Sequence, residues 1–318
     1  MPLLIAVTGA TGFVGRAVLP RLLAEGHSLR VLVRDPSKLA QSKDVHLVKG
    51  GLDDAPALFE LVAGADVVLH MAGAISALNR DGFFKVNETG SLAVAQAAQA
   101  AGAKRLILMS SLAARRPELS AYGASKRAAE DAVKSFRQTM QLLILRPSAV
   151  YGPGDTATLP LLSALMQRDA ILPGRSSNRF SMIHVDDLAK ICTEAVSSTA
   201  AGLFEVDDAG GGYCWDDLAN VVRAHFGRPR RLWFLPYGLM MVVGHAFDIY
   251  SKLSGKSAML SADKVRELYE PDWVAQGANW PRDNPLSLFD GLPDTIRWYQ
   301  EHGLLPRVAM EGATRHGN

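Results

Sequence analysis

The stretch TGATGFVG, Thr8–Gly15, follows an apolar run, Leu3 to Val7, and precedes the amphipathic segment Ala17 to Ala24. A strand, a tight glycine turn and a helix in this order form a cradle for a pyrophosphate. The reason is that free backbone N–H groups and the positive end of the helix dipole both point at the turn. The pattern therefore predicts a dinucleotide-binding turn at the start of the chain.

Each glycine of this turn has a predicted role. Gly9 lets the chain turn, Gly12 lets the backbone approach the phosphates without a Cβ in the way, and Gly15 lets the helix lie close on its strand. The spacing is G-x-x-G-x-x-G. A glycine pattern alone is weak evidence, because a plain strand-to-helix turn can carry it. The remainder of the chain has to support the prediction.

Composition sets few limits beyond those of a globular protein. The 318 residues carry a formal net charge of +2, which gives no reason to expect nucleic acid as a partner. The two cysteines, Cys192 and Cys214, have no metal-ligand spacing, so we predict reduced thiols and no metal site. The first strand begins at the third residue, which leaves no room for a signal peptide and favours a cytoplasmic location.

Strand-like and helical patterns alternate from the opening turn to about Val150, as in a parallel sheet covered on both faces. Long helices are predicted over Gly82–Ala101 and Ala121–Arg137. This indicates an α/β fold, a Rossmann-type doubly wound parallel sheet, with a smaller and mostly helical C-terminal substrate domain. The predicted strands are Leu3–Val7, Ser28–Val33, Val45–Val48, Asp66–His70, Arg105–Met109 and Leu142–Leu145.

The end of the second predicted strand bears on the choice of dinucleotide. NAD sites place a carboxylate there for the ribose 2′-hydroxyl, whereas NADP sites use a cation for the 2′-phosphate. Arg34 occupies that position, Lys38 follows one helical turn later, and Asp35 is displaced toward the turn. The pattern favours NADP(H) over NAD(H), although solvated loop charges would look the same.

Candidate chemical groups follow the fourth and fifth predicted strands. Small residues in Met71-Ala72-Gly73 suit a chain that passes a cofactor, and Ser110-Ser111 ends the fifth strand at the edge where such folds bind ligands. Tyr122 and Lys126 then lie four residues apart, on one face of a helix. A nearby ammonium should lower the tyrosine pKa from about 10 toward the working pH, so that the hydroxyl can exchange a proton.

The C-terminal half loses the strand periodicity after Tyr151. Phe180 to His184 and then Asp186–Val196 are predicted to return to the first domain as a strand and a helix, with Asp186 or Asp187 as the helix N-cap. A catalytic pair of His184 and Asp187 is the less favoured interpretation. The predicted division is a Rossmann domain of residues 1–155 and 181–207, a substrate domain of residues 156–180 and 208–306, and a mobile tail of residues 307–318.

Seven sequence blocks together resemble the extended short-chain dehydrogenase/reductase superfamily over nearly the whole chain. The resemblance implies that Tyr122 is the acid/base, that Lys126 activates it and binds the cofactor ribose, and that Ser111 holds the substrate oxygen. It makes Asn87 mainly structural. The blocks are TGATGFVG at Thr8–Gly15, HMAG at His70–Gly73, VN at Val86-Asn87, SS at Ser110-Ser111, YGASK at Tyr122–Lys126, RPSAVYGPGD at Arg146–Asp155 and IHVDDLA at Ile183–Ala189.

The same resemblance implies a set of cofactor contacts. Members of the superfamily often carry Gly-Asp-Leu after the third strand, but this chain has Gly50-Gly51-Leu52, so the adenine contact would pass to Asp53. Ser148 would join Pro147 and Val150 along the nicotinamide. The implied cofactor residues are Gly9, Thr11, Gly12, Phe13, Val14, Gly15, Arg34, Lys38, Leu52, Asp53, Met71, Ala72, Gly73, Tyr122, Lys126, Pro147 and Val150.

The stretch from Leu232 to Met259 is strongly apolar, with basic residues at its ends. It is interpreted as a packed helix pair, as an apolar tunnel for a long-chain substrate, or as a segment lying on a membrane. No uninterrupted apolar run reaches the ~18–20 residues of a spanning helix. Ser111, Tyr151 and Trp233 are the candidate substrate residues.

This apolar stretch and the short segment before Tyr122 make the chain similar to bacterial long-chain ketoreductases that reduce the 3-keto group of a ceramide or sphinganine precursor. The leading hypothesis is therefore NADPH-dependent reduction of a ketone on a lipid-like substrate. One alternative is a nucleotide-sugar epimerase or dehydratase with tightly bound NAD, and another is a non-catalytic NADP(H)-binding subunit. Relatives often form homodimers through the two long helices, where Ala93, Ala97 and Ala100 would allow close packing.

Overall fold

The computed structural model describes residues 2–40, 42–256, 260–277, 280–281 and 283–307. Residues 257–259, which end the apolar stretch, and residues 308–318 of the expected tail lie outside the described residues.

Seven parallel strands form the central sheet, in the order β11-β6-β5-β4-β1-β2-β3. Six of them match the predicted strands: β2 and β5 have the predicted ends, and the ends of the other four differ by at most two residues. The seventh, β11, was not predicted; it pairs with β6 at the edge of the sheet. The strands are β1 Leu4–Thr8, β2 Ser28–Val33, β3 Val45–Lys49, β4 Val67–His70, β5 Arg105–Met109, β6 Gln141–Pro147 and β11 Gly202–Val206.

The remaining described strands are short and pair two by two. The predicted strand over Phe180 to His184 is in fact split, because β9 pairs with β13 while β10 pairs with β7. These strands are β7 Ala149–Tyr151, β8 Asp169–Leu172, β9 Arg179–Phe180, β10 Met182–His184, β12 Arg231–Phe234 and β13 Asp272–Trp273.

Helices cover both faces of the sheet, as expected for strands that are apolar on both sides. Val18 of α1 and Leu188 of α7 pack on one face, whereas Leu58 of α2, Val94 of α4 and Val133 of α5 pack on the other. The predicted doubly wound α/β fold is confirmed. The helices are α1 Phe13–Ala24, α2 Ala55–Val62, α3 Arg80–Phe84, α4 Gly90–Ala100, α5 Ala121–Lys134, α6 Leu159–Leu165, α7 Val185–Ser197, α8 Trp215–Phe226, α9 Tyr237–Ser254, α10 Ala262–Tyr269 and α11 Leu288–Glu301.

A third cluster of buried apolar side chains lies in the C-terminal half. It joins α6, α8 and α11 through Leu162, Leu218 and Ile296. This cluster lies where the substrate domain is predicted, although the exact division of the chain stays a prediction.

Two predicted helix features differ from the structure. The helix predicted over Gly82–Ala101 begins earlier, at Arg80, and is interrupted by a π-helical turn at Lys85–Thr89. The N-cap of α7 is His184, whose Nδ1 accepts from Asp186 N at 3.2 Å. The predicted cap by Asp186 or Asp187 is therefore wrong; both carboxylates lie in the first turn, where they favour the helix dipole.

Candidate active site

The glycine turn between β1 and α1 can form only with glycine at two of its positions. Gly9 has φ +79°, and a Cβ there would lie 2.5 Å from Ala72 N. A Cβ on Gly15 would lie 2.3 Å from Gly9 O. Gly12 is the N-cap of α1 and supplies no capping side chain, and no acidic residue lies in the first turn. The first-turn amides are thus left to an anion, which fits a dinucleotide pyrophosphate.

A chain of buried hydrogen bonds links β1, β4 and α4 beside the glycine turn. Thr8 Oγ1 and His70 Nδ1 are 2.6 Å apart, and His70 Nε2 and Ser91 Oγ are 2.9 Å apart. Burial and the nearby Lys126 charge lower the pKa of His70 to about 3, so the ring is neutral. Because Ser91 donates to Asn87 O and Ala72 N donates to Thr8 Oγ1, the consistent arrangement is Thr8 donating to Nδ1 and Nε2–H donating to Ser91.

Asn87 ties the loop after β4 to helix α5. Its Oδ1 accepts from Ala74 N at 2.7 Å, and its Nδ2 donates to Ala74 O and, at 2.8 Å, to Ser125 Oγ. Asn87 lies in the π-helical turn, a feature often found at functional sites. This clamp keeps Gly73 against Lys126, since a Cβ on Gly73 would lie 2.9 Å from Lys126 Nζ.

Lys126 is buried, and its Nζ donates to Met109 O at 2.9 Å. Burial lowers its pKa to about 8, although Glu130 one turn later opposes that shift. A lysine with this pKa changes charge near physiological pH, which is the property of a functional rather than a merely solvated lysine.

Tyr122 differs from the sequence-based expectation. Its surroundings desolvate the phenol and raise its pKa to about 12, while a hydrogen bond with Ser111 lowers that pKa and the Glu267 charge raises it. The expected lowering by Lys126 is not seen. The hydroxyl is therefore protonated at neutral pH, as a proton donor must be. Ser111 itself caps the 3₁₀ turn Leu112–Arg115, accepting from Ala113 N at 3.2 Å.

Two neighbours of Tyr122 could not be identified from the sequence. Phe83, on α3, packs against the Tyr122 ring with centroids 6.1 Å apart. Glu267, on α10, accepts a hydrogen bond from Ser120, the N-cap of α5. Asp263 Oδ2 also accepts from Ala121 N at 2.7 Å. Helix α10 thus holds the start of α5, the helix that carries Tyr122. The bonded partners are 142 and 147 residues apart in the chain, and no local signal marks them.

A buried ion-pair network supports the other end of the site. Arg146 donates from Nε and Nη2 to the two oxygens of Glu130, both at 2.7 Å, and its Nη1 lies 3.3 Å from Glu205 Oε1. Ser110 donates to the same Glu130. Ser110 therefore belongs to this buried network, whereas Ser111 is the serine that forms a hydrogen bond with Tyr122.

The end of β2 presents Arg34 and Lys38 to solvent. The carboxylate between them is used locally, because Asp35 accepts from Ser37 N at 3.1 Å and from Ser37 Oγ at 2.7 Å. These hydrogen bonds hold the Asp35 pKa below its usual value. The turn therefore presents two exposed cations beside a carboxylate that is already hydrogen-bonded to Ser37. This arrangement suits a 2′-phosphate.

The remaining predicted cofactor residues lie around the same edge. Leu52 packs against Gly90, and Asp53 Oδ1 lies 2.7 Å from where a Cβ on Gly51 would stand, so Asp53 occupies the space of the missing side chain. Pro147 and Ser148 are buried at the end of β6. Among the described residues, Ser148 Oγ is one of a few buried side-chain atoms with no hydrogen-bond partner, which leaves it for a bound group.

The predicted substrate residues are not gathered in one place. Tyr151 is fully buried, and its hydroxyl donates to Ser287 O at 3.5 Å, so it has no exposed surface for a substrate. Trp233 is 55% exposed on β12. Asp187 Oδ2 accepts from Leu286 N at 2.7 Å, and His184 packs edge-on against Tyr151, so these two act in packing, as favoured from the sequence.

The lowered pKa of Lys126 predicts a pH-dependent stability. The unfolded lysine binds a proton below pH 10.5 but the folded one only below about 8, so the free energy of unfolding should rise as pH increases through that window. Replacing Lys126 by Met should remove this rise, as measured by urea unfolding across the window. A Met at exposed Lys190 should leave the rise intact. An unchanged pH dependence in the Lys126 variant would contradict the assignment.

Known proteins with similar sequences are mainly reductases and epimerases. The chain is 41% identical over 309 residues to a ceramide reductase of Caulobacter vibrioides (strain NA1000 / CB15N), covering 95% of this chain and 96% of that protein. It is 27% identical to a 2-alkyl-3-oxoalkanoate reductase of Stenotrophomonas maltophilia (strain K279a), covering 71% of this chain and 76% of that protein.

Solved structures agree in fold. The Bordetella bronchiseptica enzyme WbmG in complex with NAD matches with a TM-score of 0.67 at 19% identity, over 96% of each chain. The relatives establish an oxidoreductase of the short-chain dehydrogenase/reductase type with a site for NAD(P). A family model described as the NAD dependent epimerase/dehydratase family matches residues 5–205, and the chain belongs to that family.

Proposed function

We propose that the protein reduces the 3-keto group of a ceramide or sphinganine precursor with NADPH. The observation that carries this proposal is the protonated Tyr122, bonded to Ser111 and one turn from Lys126, in a chain 41% identical to a ceramide reductase. The similarity to a 2-alkyl-3-oxoalkanoate reductase also supports a ketone on an alkyl chain as the substrate.

The residues of the site divide the work of ketone reduction. Ser111 and Tyr122 hold the carbonyl oxygen by hydrogen bonds, which polarises the carbonyl. A reduced nicotinamide, when bound, supplies a hydride to the carbonyl carbon. The Tyr122 hydroxyl gives its proton to the oxygen, so that a secondary alcohol results. Lys126, one helical turn from Tyr122, donates to Met109 O, and its proposed role is to bind the ribose of the cofactor.

The proposed preference for NADP(H) rests on Arg34. Replacing Arg34 by Ala should weaken NADPH binding about 10- to 100-fold and leave NADH binding nearly unchanged, because only the 2′-phosphate needs the guanidinium. Titration of cofactor fluorescence measures both affinities without turnover. Ala at exposed Lys43 is the matched control. Equal losses for both cofactors would show that Arg34 does not read the phosphate.

The substrate is tested by NADPH oxidation against long-chain 3-keto lipids, UDP-sugars and steroid-like ketones. We expect turnover with the 3-keto lipids. Indifference to every lipid would end the proposal. A purified protein that carries tightly bound NAD and ignores NADPH would favour the nucleotide-sugar epimerase, and NADPH binding without any turnover would favour the non-catalytic subunit. Homodimer formation through α4 and α5 stays a prediction.

A further inference from the structure

Helix α9, Tyr237–Ser254, is apolar but mostly uncovered. Only Met240, Gly244 and Ser251 are buried among its 18 residues. Met240 packs with Val265 and Tyr269 of α10, and Gly244 also approaches α10 closely, since a Cβ on Gly244 would lie 2.9 Å from the backbone of Ala262. Within the described chain, α9 is thus attached along one narrow strip.

The side of α9 opposite this strip is apolar. At 3.6 residues per turn, Val242, Ile249 and Leu253 fall about half a turn away from the buried residues. These side chains are 68%, 60% and 83% exposed. Leu239 and Tyr250 flank them and are exposed as well. Exposed surface helices normally turn polar residues outward, so a continuous outward apolar face indicates that something covers it.

A further pair of exposed apolar side chains lies on the strand before α9 and on its partner strand. Trp233 of β12 and Ile171 of β8 are direct register partners, and both are more than half exposed. Two residues separate the end of β12 from the start of α9. An exposed tryptophan and tyrosines beside aliphatic side chains are typical of proteins at the boundary between lipid and water.

Charge argues for an anionic covering surface. Lys252 and Lys256 are exposed at the C-terminal end of α9, and Arg231 is exposed before it. Two acidic groups lie nearby: Asp248 accepts from Ala262 N and lies 3.8 Å from His245 Nδ1, and Asp169 is the register partner of Arg231. Lysines at the end of an apolar helix match the anionic headgroups of a bilayer.

We propose that the outward face of α9 docks on an anionic lipid bilayer. The inference deepens the proposed function, because a substrate with long acyl chains resides in a membrane. Within the described residues no helix is long and apolar enough to cross a bilayer, so the contact would be peripheral. Helix α9 packs on α10, and α10 carries the groups that bond Ser120 and Ala121 beside Tyr122. The docked surface therefore adjoins the element that positions the proton donor.

The test is cosedimentation of the whole chain with phosphatidylcholine vesicles, with and without phosphatidylglycerol. We expect binding to the anionic vesicles. Glu at both Ile249 and Leu253 should weaken that binding at least about a hundredfold, because two apolar side chains no longer enter the lipid. The matched control is Phe59→Glu on α2, which replaces a side chain of similar exposure, 58%, far from α9.

A second pair of variants tests the charges. Lys252→Glu should weaken binding to anionic vesicles roughly tenfold, and Lys104→Glu, an exposed site at another face, should not. Turnover of a water-soluble short-chain 3-keto ester should be unchanged in the Ile249/Leu253 variant. That assay also separates the two proposals, since a protein that binds vesicles but reduces no ketone would refute only the proposed function.

Three outcomes would overturn the docking proposal. The parent protein could stay in the supernatant with every vesicle. The Ile249/Leu253 variant could sediment like the parent. Finally, the parent could be a dimer in analytical ultracentrifugation that the same variant dissociates, which would show that a second copy covers the face.

Discussion

Replacing Tyr122 by Phe is expected to lower kcat by about 100- to 10,000-fold, because the phenol is the proposed proton donor and the substitution removes its hydroxyl. The change removes one oxygen atom and keeps the ring that packs against Phe83. The affinity for NADPH should change little, and the fold should persist, as judged by circular dichroism. Single-turnover kinetics with a 3-keto lipid measures the chemical step directly.

A Tyr122→Phe variant that turns over at the parent rate would refute Tyr122 as the donor. Ser111→Ala provides the comparison within the same site. Ser111 forms a hydrogen bond with Tyr122 and is proposed to bind the substrate oxygen, so its loss should lower kcat while leaving a measurable residual rate.

Replacing Glu130 by Gln is expected to destabilise the fold by about 3 kcal/mol, the scale of breaking a buried ion pair from one side. Glu130 is fully buried and holds Arg146 with two hydrogen bonds. The neutral amide would leave the Arg146 guanidinium facing only Glu205, at 3.3 Å. Urea unfolding monitored by fluorescence measures the loss.

The next residue provides the matched control. Asp131 also forms ion pairs, with Arg127 and Lys134, but its side chain is 54% exposed. Asn at this position should therefore cost less than about 1 kcal/mol. Equal losses at positions 130 and 131 would show that the buried network contributes no more than surface pairs do.

The local sequence was enough to predict most strands of the sheet and the glycine turn proposed to bind the cofactor. Glycine spacing between β1 and α1 predicts a tight turn. Only glycine readily adopts the φ of +79° at position 9, and only glycine at position 15 leaves room for the carbonyl oxygen of Gly9. Strands that are apolar on both faces predict a parallel sheet covered by helices on both sides, because the side chains of both faces must be buried. The edge strand β11 was missed, since its sequence Gly202–Val206 is short and two of its residues are only half-buried.

The motif around Tyr122 shows the limit of such inference. Its four-residue spacing predicted a pair on one helix face, and the helix is there. The predicted direction of the tyrosine pKa shift was wrong, because desolvation by the surrounding fold raises the pKa, as does the charge of Glu267 on a helix distant in the chain. Neither influence leaves a trace in the local sequence.

The sequence alone determined the elements that depend on neighbouring residues. These are the glycine turn, six of the sheet strands along the chain, and the spacing of Ser111, Tyr122 and Lys126. Tertiary structure decided what depends on distant packing. It placed α10 on the start of α5, joined Glu130 to Arg146 and Glu205, and left the apolar face of α9 exposed instead of buried. Burial is a property of the assembled chain, so the pKa values and the uncovered surface follow only from the fold.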